Sequence, residues 1–249
     1  MKDVIMQDWG SVNAATTKRT AGAFVRRAVL VGLMATGAFA LSGCQTMMSP
    51  RAPTSAQGEM AEPVHKLMAS ASQRAFAKLE QPDGFWSSSV ARINLPVLFA
   101  KTRGRTSPLR SPEFREKLQH LLNNLAEEGA RKGGPLVIDS AKSVPVPNGT
   151  AILRGRPTAA TTLLRQSVGP ALVNAMIPAI LEEMQANQDP TLGKAMASLS
   201  GVTMTDAAHA LAIEADNAVW YEIGAAETEI RSNPASTNDA GLISALSTR

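Results

Sequence analysis

The chain has one cysteine and three histidines in 249 residues, and aromatics make up only 4%. A single thiol cannot close an internal disulfide, so no disulfide framework holds this protein together. So few rings leave the core to Leu, Ile, Val, Ala and Met. Of the histidines His65, His120 and His209, the last lies one helical turn from Asp206. A catalytic zinc would need a third ligand, and no spacing supplies one; the pair reads as neighbours on a helix surface. Met176, Met184, Met196 and Met204 could offer thioethers to copper, but two of them share a stripe with Leu172 and Ile180 and read as core filling. The chain also lacks G-x-S-x-G, a Walker loop, H-E-x-x-H and S-x-x-K. No cofactor or metal is expected. There is no internal repeat.

Excess charge is missing as well, once its source is located. The formal net charge is +4, but residues 1–43 hold five basic groups and two acids. The rest carries 20 basic and 19 acidic residues, which gives no reason to expect a nucleic-acid partner.

What is present begins at the N-terminus. Lys18, Arg19, Arg26 and Arg27 precede an uncharged apolar run of 14 residues, Ala28 to Leu41. That length suits a signal h-region and is short for a membrane span. Leu41, Ser42, Gly43 and Cys44 follow, a pattern that resembles the lipobox of bacterial lipoproteins. The expectation is a lipoprotein signal peptide over 1–43, with acyl chains on Cys44 anchoring the mature chain to a membrane. One acyl chain holds only reversibly, and two or three hold permanently. The stretch before the apolar run is long: either the true start lies downstream of Met1, or the n-region is extended. Arg26-Arg27 fits a twin-arginine signal only in part, which favours general secretion. By resemblance to Gram-negative sorting, Gln45 rather than Asp after the cysteine points to the outer membrane, facing the periplasm.

Residues 45–62 are rich in Pro, Ser, Ala and Gly with no apolar period, as a tether would be. A flexible coil of 18 residues spans roughly 25 Å. From Pro63 onward the periodicity is helical. Val64, Leu67, Met68, Ala71, Ala75 and Leu79 repeat at three and four, and "QPDGFW" breaks the pattern. Residues 90–99 alternate, but Pro96 makes them an edge strand or no strand at all. Ser111-Pro112 starts a helix that Gly133-Gly134 is expected to stop at 132. Shorter helices follow at 135–143, 149–154 and 157–166. The run 169–187 should kink or join at Pro178. Helices are then expected from Asp189-Pro190 to Leu199, from Thr205-Asp206 to 231, and over 239–247. The fold class is therefore all-α: one helical domain over 63–249 with about seven to nine helices, with a short extended segment near 90–96 as the alternative there.

Charge is unevenly placed. Residues 45–165 carry seventeen basic and nine acidic groups, and 166–249 carry three and ten. Arg92, Lys101, Arg103, Arg105 and Arg110 follow one another with no acid between them. They read first as a solvated face, and alternatively as a contact for anionic lipid head groups.

Several stretches resemble one family, the bacterial envelope proteins grouped as DUF4197. They are "DGFW" at 83–86 with "VARINLP" at 90–96, "DSAKSVPVPNGTAILRGRPTAATTLLRQSVGPAL" at 139–172, and "AETEIRSNPAS" at 226–236. The resemblance covers about 64–247. It implies a helical, exported, often lipid-anchored protein without an assigned activity, so no catalytic residue is carried over. The residues it singles out as a binding or structural motif are Asp83, Gly84, Phe85, Gly155, Thr161, Arg165, Glu227, Arg231, Asn233 and Pro234. Glu227 and Arg231, i and i+4 on the last long helix, read first as an intrahelical pair with Arg231 capping carbonyls. The alternative is an arginine gripping a carboxylate or phosphate.

The functional expectation is a non-enzymatic binding or interaction module of the cell envelope, its partner an envelope protein. One alternative is a carrier of an apolar ligand between helices. Another is a hydrolase using Asp83, Asp139, Asp206 or His209, which requires two of these to converge.

Overall fold

A computed structural model describes residues 60–100 and 107–247. The expected signal peptide, Cys44 and the expected tether up to residue 59 lie outside these, as do Lys101, Arg103 and Arg105. The described part is all-α, as expected: ten helices and two 3-10 turns, with no strand among the described residues.

Four long helices carry the core. They are α1 (Ala61–Leu79), α4 (Pro112–Ser143), α7 (Ala171–Ala186) and α9 (Met204–Ser232). Each packs on two of the others, closing a ring α1–α4–α7–α9, the arrangement of a four-helix bundle. Its interior is aliphatic. Leu67, Leu79, Leu118, Leu122, Leu164, Leu172, Ile180, Leu211 and Ile223 are fully buried, with Ala207, Ala208, Ala212 and Ala215 letting α9 approach its neighbours. The remaining helices are short: α2 (Gly84–Ser87), α3 (Val97–Ala100), α5 (Gly149–Leu153), α6 (Ala159–Val168), α8 (Pro190–Ala197) and α10 (Ala240–Ser247).

Several helix starts lie where their capping residues put them. Ser111 accepts from the Phe114 N–H ahead of α4, and Asp189 from the Thr191 N–H ahead of α8. For α9 the cap is Thr203, not Thr205. Thr203 and Asp206 form a reciprocal capping box, so Asp206 is a cap partner. Its carboxyl is held below the ordinary range by the Thr203 hydroxyl and N–H.

One expectation is corrected. Gly133-Gly134 does not end a helix: α4 runs unbroken through both glycines and Pro135 to Ser143. The glycines serve close approach instead. A Cβ at Gly133 would sit 2.4 Å from Leu172 Cδ1, and one at Gly134 would crowd Phe76. Packing on two faces thus holds a helix through residues with poor intrinsic propensity. Pro178 likewise sits inside α7 without ending it. Of the two readings of 90–99, edge strand or no strand, the second holds. Ala91–Pro96 is neither strand nor helix, and α3 follows at Val97. In α10 only Leu242 is fully buried, with Ile243 and Leu246 half-buried.

Candidate functional site

Four buried carboxylates, Glu127, Asp216, Glu222 and Glu227, and one buried amide, Asn123, tie shorter segments to the bundle. Glu227, on α9, is wholly buried. Its carboxylate accepts from the Ala160 N–H (3.1 Å), the Thr161 N–H (2.7 Å) and the Thr161 hydroxyl (2.6 Å). These are free donors in the first turn of α6, which has no side-chain cap of its own from Thr158; Glu227 supplies the cap from another helix. Arg231 donates Nε to Glu227 at 2.8 Å, and its two terminal nitrogens donate to the carbonyls of Leu153 (2.7 Å) and Ile152 (2.9 Å). One Glu-x-x-x-Arg step on α9 therefore closes the end of α5 and the start of α6. The carbonyls that Arg231 caps belong to α5 and not to its own helix.

The Asp83-Gly84-Phe85 turn is held the same way. Asp83 adopts a left-handed conformation, φ 60°. Gly84 lies so close to the end of α1 that a Cβ would meet the Lys78 carbonyl at 2.4 Å, and its N–H donates to Glu127. Burial pushes the Glu127 carboxyl up despite that bond. Phe85 is fully buried, and Asp83 Oδ1 meets His120 Nε2 at 2.7 Å on the surface. Farther along, Ser88 donates to Glu222 (2.6 Å), which also takes Lys78. Asn123 pairs with both the N–H and the carbonyl of Ile93, as a neighbouring strand would. A single extended segment is thus satisfied by an amide on a helix, which is why 90–96 needs no sheet.

Sequence reasoning missed Asn123, Glu127 and Glu222. Their only local signal is a polar residue beside an apolar stripe. Asn233 and Pro234 end α9 and begin the 3-10 turn Pro234–Thr237, which Arg74 ties to α1 through Ser236. Gly155 follows α5 and lines a small cleft of about 370 Å³ with Arg231.

The surface opening that gathers the remaining motif residues lies between α6 and α9. This groove, about 460 Å³, is lined by Thr158, Thr161, Thr162, Arg165, Trp220 and Tyr221, with Gly224 and Ala225 in its wall. The hydroxyls of Thr161, Thr162 and Thr228 already donate inward, to Glu227, Thr158 and Gly224. Their lone pairs are what they offer the groove. Arg165 is fixed by Asn217 at 2.6 Å and by Asp216 at 3.4 Å, while Asp216 also accepts from the Trp220 indole at 2.9 Å. Tyr221 is 63% exposed.

Burial raises the Asp216 carboxyl above its ordinary value, against the opposing pull of Trp220 and Arg165. The folded state then keeps a proton that the unfolded chain releases, so this group's stabilising contribution is greatest at low pH. It is lost as pH rises through the raised value. The melting temperature of the native protein minus that of Asp216→Asn is therefore expected to fall as pH rises above about 4, the ordinary carboxylate range. A difference that grows with pH would contradict this.

The acids considered for catalysis do not meet. Asp83 lies in the turn after α1, Asp139 pairs with Lys142 on α4, and Asp206 caps α9 beside the exposed His209. None lines the clefts described here. Among the described residues no three His, Cys, Asp or Glu side chains come together as a metal would require, and no helix is long and apolar enough to cross a membrane.

Compared with known families, the chain matches over residues 54–245 a family model described as a protein of unknown function, DUF4197. No curated protein and no solved structure matches it.

Proposed function

The chain belongs to the DUF4197 family, and from that premise we propose that it is a non-enzymatic binding module held in the cell envelope by acyl chains on Cys44, its helical domain facing the periplasm. The observation that carries the binding reading is the state of the acids around the groove. Glu227 is consumed by two backbone N–H groups, a hydroxyl and Arg231, and Asp216 by Arg165 and Trp220. What remains is a fixed guanidinium, a row of hydroxyl lone pairs and an exposed phenol. Such a surface recognises a polar ligand with donor groups and one anionic group, such as a segment of an envelope protein ending in a carboxylate.

The carrier reading has less support. Between α4 and α7, Leu172, Met176 and Ile180 fill the space over Gly129 and Gly133 so closely that added Cβ atoms would stand 2.9 Å and 2.4 Å from the nearest side-chain atoms. The anchor rests on the sequence Leu41-Ser-Gly-Cys44. Expressed from its own gene, the native protein is expected in the membrane fraction, released by detergent and not by salt. Cys44→Ala is expected to lose that detergent-dependent retention. Unchanged retention of the variant would remove the anchor.

A further inference from the structure

A second opening lies on the far side of the Asp83 turn, and its chemistry differs from that of the groove. It is the larger of the two, about 720 Å³, and three arginines line it: Arg92, Arg110 and Arg115. Arg92 is already in place. Its guanidinium lies 4.5 Å over the Trp86 ring, and its Nε donates to the Trp86 carbonyl, leaving the terminal nitrogens free to donate. The side chains of Arg110 and Arg115 make no hydrogen bond or ion pair among the described residues. Of the acids nearby, one lines the opening and two are engaged elsewhere. Glu116 lines the opening. Glu113 is engaged by the Ser111 hydroxyl, which lowers its carboxyl below the usual range. Asp83 is engaged by His120.

The surroundings say what kind of anion this cluster meets. Leu95 and Pro112 give the opening an apolar side. The same segment carries two of the large apolar side chains that the described residues expose, Val90 at 45% and Val97 at 66%. Both valines flank the lining residues Arg92 and Leu95 along the chain, and a bilayer surface takes apolar and cationic side chains together. Apolar side chains enter the head-group region, and each arginine near an anionic surface contributes roughly 1 kcal/mol.

We propose that the opening lined by Arg92, Arg110 and Arg115 binds the phosphate-bearing head group of an anionic phospholipid, laying the 90–97 segment against a membrane surface.

The test uses residues 60–249, which hold all the described helices and the whole of the bundle core and carry no acyl chain to obscure the reading. Co-sedimentation is measured with vesicles of phosphatidylcholine alone and with 30% phosphatidylglycerol. Binding to the phosphatidylglycerol vesicles only is expected. Arg110→Gln/Arg115→Gln should weaken it about thirtyfold with an unchanged melting temperature, since neither side chain has an internal partner. Lys132→Gln/Lys142→Gln removes the same charge elsewhere and should change binding little. The proposal fails if the native domain ignores phosphatidylglycerol, if the arginine pair changes nothing, or if the lysine pair costs as much.

Discussion

Replacing Glu227 by alanine is expected to cost about 3–5 kcal/mol of unfolding free energy, the range for breaking a buried ion pair by removing one partner. Three losses coincide. Arg231 stays behind with only 12% of its side chain exposed and no counter-charge. The N–H groups of Ala160 and Thr161 lose their acceptor. The first turn of α6 loses the negative charge at its positive end. Glu227→Gln keeps an acceptor oxygen and the shape, so about 2 kcal/mol is expected. In a double-mutant cycle with Arg231→Met, the combined loss should fall well short of the sum, because the second substitution removes the stranded charge. Urea denaturation measures all three. A Glu227→Ala protein within about 1 kcal/mol of native would mean that the pair is not a structural brace, and would reopen the reading of Arg231 as a ligand grip.

Gly84→Ala is expected to be the most damaging addition of a single methyl group, at about 3 kcal/mol. The new Cβ would meet the Lys78 carbonyl at 2.4 Å and the Leu79 carbonyl at 2.7 Å. These are backbone atoms at the end of α1, fixed by the bundle, so the turn must shift. The shift would pull the Gly84 N–H from Glu127 and unseat Phe85. Gly133→Ala is the control. Its Cβ would come equally near an atom, 2.4 Å from Leu172 Cδ1, but that is the end of a side chain that can turn away. About 1–2 kcal/mol is expected there. The order of the two melting temperatures checks the argument, and a Gly84→Ala protein as stable as Gly133→Ala would contradict it.

These two sites also mark how far the sequence could be read. The helical class, the Ser111 and Asp189 caps and the apolar stripes are local patterns, and they lie where periodicity and capping chemistry put them. Gly133-Gly134-Pro135 is misleading because local propensity says stop, while α1 and α7 pack on both faces of α4 and keep it helical. The Glu227–Arg231 pair was visible as an i,i+4 step, yet its partners are the ends of two helices 66 to 79 residues away. No spacing rule reaches that far. Asn123, Glu127 and Glu222 were invisible for the same reason. Each satisfies a backbone or side-chain group 30 to 144 residues away, so it reads as an ordinary polar residue until the fold brings its partner in. Thr161 and Arg165 were singled out by family resemblance alone. The groove they share depends on where α9 puts Trp220 and Tyr221.

The claim that this is a binding module working through the α6–α9 groove is tested most directly by a native mass spectrum of the mature protein, extracted from its own membranes in mild detergent, beside Arg165→Gln/Tyr221→Ala. The account predicts a bound mass on the native protein, beyond its acyl chains, that the groove variant lacks. An identical spectrum for both, whether each keeps the added mass or neither has it, would contradict the account.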